Sequence, residues 1–73
     1  MELEPLVLEP AFAKSEGVDT RTARRWRHAG LGPKYIRIGL RKIAYEPAEI
    51  RRWRQDRTFG SRAEELAAQA KGA

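Results

Sequence analysis

The chain has 73 residues, with 15 Lys and Arg against 10 Asp and Glu, one histidine, no cysteine and a net charge of +5. A chain this short hides only about 60% of its unfolded surface, which leaves little material for a deep, water-excluding catalytic cleft. Without cysteine there is no disulfide framework or thiolate metal site, His28 alone cannot make a zinc centre, and no apolar run has the length of a membrane span or signal-peptide core.

The lead-in MELEPLVL is acidic and apolar, and Leu6, Val7 and Leu8 fit either a short extended segment or a cap over the core. Pro10 suits the opening turn of a first helix that runs to Ser15 and is broken by Gly17. Asp19 is an N-cap for a second helix, Thr20 to about Ala29, which stops at Gly30. Ala23 and Trp26, three apart, mark its buried side, and Arg21, Arg24, Arg25 and Arg27 lie on the remaining faces. After the breaker-rich Leu31-Gly32-Pro33, two β-branched and aromatic runs flank Gly39-Leu40-Arg41 and predict a β-hairpin. Pro47 opens a third helix with Ile50 and Trp53 inside and Arg51, Arg52, Arg54 and Arg57 outside. Ser61-Arg62-Ala63-Glu64 is a capping box for a fourth helical stretch to about Lys71, marginal as an isolated helix because only Leu66 and alanines are apolar.

Charge is sorted by region. Residues 1–19 carry five acids and one lysine, a net −4, whereas residues 20–57 carry twelve Lys and Arg against three acids, a net +9. A basic block attracts polyanions, and arginine favours bidentate contact with phosphate and guanine; a solvated basic surface is the plainer alternative. The order of elements adds to this. A helix-turn-helix needs a small residue where its helices cross, a turn glycine and apolar anchors on the second helix. Ala13, Gly17 and the set Val18, Ala23 and Trp26 supply them.

Three stretches carry a family resemblance: Val18-Asp19-x-Arg21-Thr22-Ala23-x-Arg25-Trp26, Gly30-x3-Lys34-Tyr35-Ile36-Arg37-Ile38-Gly39 and Tyr45-x4-Ile50-x2-Trp53. Over about residues 6–57 the chain resembles excisionases (recombination directionality factors) and AlpA-like regulators, which share a MerR-type winged helix-turn-helix. Two positions depart from the family pattern. Glu16 stands where a leucine is usual, and Ala23 replaces the usual valine, so looser anchoring of the first helix and looser helix packing are expected. The resemblance implies a mainly α fold with a small β-hairpin. A winged helix-turn-helix DNA-binding domain would cover residues 1–60 and a C-terminal helical tail residues 61–73.

It also implies binding to double-stranded DNA, with the second helix in the major groove and the hairpin as a wing. Arg21, Thr22 and Arg25 align with base-facing positions, and Thr20, Arg24 and Arg27 with phosphate contacts. On the hairpin, Arg37, Arg41 and Lys42 would track phosphates or enter the adjacent minor groove. Solvated surface charge is the alternative for each of these residues, and for the α-helical row Arg51, Arg52, Arg54 and Arg57 the two readings stand level. Trp26, Trp53 and Tyr45 are core residues by helical and strand spacing, with stacking on single strands as the other option. His28 is a surface residue near a helix end.

The function that the resemblance implies is that of a phage or mobile-element excisionase in the cytoplasm of a bacterial host. Such a protein binds repeated sites, bends DNA and directs an integrase towards excision. The acidic N-terminus would meet the basic surface of a neighbouring protomer, giving cooperative self-association on DNA, and the segment from Ser61 would touch the integrase. An AlpA-like transcriptional regulator, a terminase small-subunit domain and an RNA-binding basic protein are the alternatives. No enzyme activity, cofactor, metal or membrane partner is expected, since no nucleophile–base pair or phosphate-binding glycine loop is present.

Overall fold

The computed structural model describes residues 3–72, so Met1 and Glu2 of the acidic lead-in, together with Ala73, lie outside the described residues. Among those described, the elements are β1 (Val7–Leu8), α1 (Glu9–Ser15), α2 (Thr20–Ala29), β2 (Ile36–Ile38), β3 (Lys42–Tyr45), α3 (Pro47–Asp56) and α4 (Arg62–Gly72). The strands form one antiparallel sheet in the order β1-β3-β2. The hairpin expected from the sequence pairs Ile36 with Ala44 and Ile38 with Lys42, and the lead-in extends it, Val7 lying opposite Tyr45. Val7 and Leu8 thus form the extended segment, and Val7 also packs against the core.

Helix boundaries follow local chemistry. Pro10 sits in the first turn of α1. The Asp19 carboxylate accepts the Thr22 N–H at 2.8 Å and caps α2. Both α1 and α2 close in the same way. Val18 N–H reaches Ala13 O at 3.0 Å and Leu31 N–H reaches Trp26 O at 2.8 Å, around Gly17 and Gly30 at φ of 75° and 72°. A side chain would strain that left-handed backbone, which is why glycine stands at both positions.

The core is a cluster of aromatic rings on the α1–α2 pair. Phe12, fully buried, lies 4.5 Å from Tyr45, 5.6 Å from Trp53 and 6.5 Å from Trp26 between ring centroids. Ala13 and Ala23 are buried where α1 meets α2, and Ile43 and Ile50 complete the cluster from β3 and α3. Trp26 and Trp53, 5.6 Å apart, are half-buried against it. The Trp53 indole N–H also donates to Leu31 O at 2.8 Å, tying α3 to the segment after α2. These rings are core, in line with their spacing.

One detail differs from expectation. The Ser61 hydroxyl accepts the Glu64 N–H at 3.2 Å, but the Glu64 carboxylate accepts from Gly60 N–H at 2.6 Å, one residue before the N-cap. The capping box is thus half-formed, with its return arm on the preceding residue. Ile36 and Ile38, on the sheet face away from Tyr45 and Ile43, remain more than a third exposed. β2 is an edge strand of the sheet.

Candidate nucleic-acid interface

Helical phase sorts the residues of α2. At about 100° per residue, Arg21, Arg24, Arg25 and His28 fall within one arc, and Ala23, Trp26 and Arg27 within the opposite one. The structure follows that division. Arg21, Arg24, Arg25 and His28 are exposed; Ala23 is buried, and Trp26 and Arg27 are half-buried or better. Thr20 and Thr22 lie at the edge between the two faces, in the first turn, half-buried. Among the described residues, no carboxylate pairs with Arg21, Arg24 or Arg25.

Arg27 does not belong with them, and its expected place at a phosphate is corrected. It lies four residues after Ala23 and therefore on the inward face. Its Nε donates to Glu9 Oε2 at 2.9 Å, its Cζ stands 5.5 Å from the Tyr35 ring centroid, and its side chain is only 10% exposed. The Tyr45 hydroxyl donates to the same Glu9 oxygen at 2.8 Å. Burial pushes the Glu9 carboxyl up, but the hydrogen bonds from Arg27 and Tyr45 and the Arg27 charge outweigh it, so its pKa lies below the ordinary 4.5. The same trio raises Tyr45, through burial and then the bond to Glu9, and raises Arg27 through Glu9. This network joins the start of α1, the end of α2 and the end of β3. Glu9 and Tyr45 were not among the residues singled out for it; the clue available was a basic residue in the apolar phase of α2, which demands a buried acid.

Glu16 is the second acid held by an arginine. The position lacks an apolar anchor, yet the carboxylate, half-buried, accepts from Arg54 Nε at 3.0 Å and also from its Nη2. An ion pair thus joins the end of α1 to α3. The other arginines of α3 and its C-cap make looser contacts: Arg52 lies 3.6 Å from Glu49 and Arg51 4.0 Å from Glu4, both arginines exposed, and Arg57 stacks 5.1 Å from the Trp53 ring centroid.

The hairpin carries three further cations. Arg37, Arg41 and Lys42 are all exposed, and Arg37 donates to Leu40 O at 3.4 Å beneath the tip. The cations of α2, the hairpin and α3 thus fall into two sets. Arg21, Arg24 and Arg25 project from α2 and Arg37, Arg41 and Lys42 from the hairpin, while Arg27, Arg51, Arg52 and Arg54 hold acids of the chain.

No described helix is long and apolar enough to cross a membrane, and the described residues contain no group of three His, Cys, Asp or Glu side chains able to hold a metal ion. Comparison with protein-family models, with characterised proteins and with solved structures finds no match to this chain.

Proposed function

We propose that this chain is a winged helix-turn-helix protein that binds double-stranded DNA without catalysing a reaction. In this reading α1 and α2 are the helix-turn-helix, α2 enters the major groove, and the β2–β3 hairpin is the wing. The observation that carries it is the outward row Arg21, Arg24 and Arg25, free of acid partners among the described residues, on a helix whose opposite side is fastened by Ala23, Trp26 and Arg27. A guanidinium carried on an anchored helix and left without an ion-pair partner suits bidentate reading of guanine or capture of phosphate. Single-strand or RNA readers present aromatic rings to solvent for stacking. Here Phe12, Trp26, Tyr45 and Trp53 pack on one another, which favours duplex DNA.

Within DNA binding, we propose the role of an excisionase, on the strength of the motif resemblance over residues 6–57. Selection of duplexes from a random-sequence pool, followed by footprinting, tests both levels. Enrichment of a defined duplex motif is expected, and Arg25→Ala should lower discrimination at one base pair by about 1–3 kcal/mol. Preference for RNA at equal salt would sink the duplex reading. Tandem direct repeats beside an integrase attachment site support the excisionase role; an inverted site overlapping a promoter points instead to a regulator.

A further inference from the structure

The hairpin reverses direction through Gly39-Leu40-Arg41, beyond the last paired residues Ile38 and Lys42. Leu40 is the apex of that turn and is 93% exposed, with Arg37, Arg41 and Lys42 on the flanks, all exposed. Cations at a hairpin tip serve solubility and guard the strand edge. A leucine there does neither, since its whole apolar surface stays in water. Arg37 Nη1 bonds to Leu40 O at 3.4 Å, so a guanidinium is held just beneath the apex.

We infer that Leu40 is a wedge that enters the minor groove and partly unstacks one base step, bending the duplex, while Arg37, Arg41 and Lys42 hold the phosphates on either side. The inference rests on the duplex-DNA reading proposed above. Its physical basis is a match of shape and chemistry. Two strands about 4.8 Å apart, with side chains, are too broad for a minor groove about 6 Å wide, so only the apex residue can enter it. Apolar side chains inserted between base pairs unstack them and kink the helix by about 20–90°. A positively charged collar draws the tip to the groove, whose potential attracts arginine, and the leucine loses its contact with water there.

The test uses the full chain and a duplex enriched by that chain from a random pool. End-labelled duplex reports the bend by energy transfer, and 2-aminopurine placed at successive positions reports unstacking. The native chain should bend the duplex and brighten 2-aminopurine at one step beside the α2 footprint. Leu40→Ser should bind more weakly and lose both the bend and the bright step, whereas Leu40→Met should keep them. Leu40 makes too little contact with the protein for either change to alter the thermal melt. Leu40→Ser with an undiminished bend and bright step overturns the wedge, as does native binding without a bend; in both cases duplex binding stands. No binding of any duplex by the native chain overturns the wedge and the duplex reading together.

Discussion

At Glu9 a carboxylate with an 8% exposed side chain meets a guanidinium and a phenol, and the three charges and dipoles are mutually satisfied. Removing one member leaves the others buried without a partner, which costs more than the intact pair contributes. Glu9→Gln is therefore expected to lower stability by about 3 kcal/mol, measured by urea denaturation at pH 7. The pH profile has a definite sign. The folded pKa of Glu9 lies below its ordinary value of 4.5, so its contribution is fully present above that value and is lost as pH falls through the lowered folded pKa. Denaturation midpoints taken from pH 7 to pH 2 should show this acid limb in the native chain and a flatter one in Glu9→Gln. Arg27 and Arg25 separate structure from recognition. Arg27→Ala should lower the melting midpoint as Glu9→Gln does, while Arg25→Ala leaves it in place and reduces DNA discrimination. Equal loss of stability from both changes would mean that α2 is oriented differently.

Elements differ in how much the rest of the molecule holds them. Gly30 closes α2 at φ 72° with open space where a Cβ would sit, so Gly30→Ala is opposed by backbone strain alone. About 1 kcal/mol is expected, read from the same denaturation curves. α4 is the opposite case: Leu66 is 49% exposed, and no described side chain of the helix is buried. Ending the chain after Gly60 should therefore move the melting midpoint by less than about 3 °C. The same contrast explains what the sequence made legible. Pro10, Asp19, Gly17, Gly30 and Pro47 act within one turn of themselves, so the bounds of α1, α2 and α3 could be read from neighbours along the chain. The partners of Arg27 and Arg54 are set by helix crossing, far from them in sequence, and no local pattern announces Glu9 or Glu16. β1 has only two residues, too few for periodicity, and becomes a strand because β3 offers it an edge. Of the proposed site, the outward set on α2 followed from helical phase. Arg27 departs from its residue type because the same phase turns it inward, towards Glu9.

Across the whole molecule, the segregation of charge in sequence becomes pairing in space. Acids at the N-terminal side are engaged inside the chain: Glu9 with Arg27, Glu16 with Arg54, Asp19 at the cap of α2, and Glu4 near Arg51. Their effect is to neutralise Arg27 and Arg54, while Arg21, Arg24, Arg25, Arg37, Arg41 and Lys42 form the positive set on α2 and the hairpin; Lys14 and Lys34, exposed elsewhere, also have no ion pair among the described residues. Each cation that meets a phosphate releases a counterion, and the logarithm of affinity falls with the logarithm of salt by about 0.9 per contact. If all six groups act on the duplex, the slope is about −5, and Arg24→Gln or Arg41→Gln should each make it shallower by about 1. Arg52→Gln removes the same formal charge from α3, but Arg52 faces Glu49. It should leave the slope unchanged. Titrations of one duplex over a series of salt concentrations, with the three variants side by side, distinguish a directed face from a net charge. A diffuse basic surface would give all three variants the same small change, because net charge alone does not register where a cation sits.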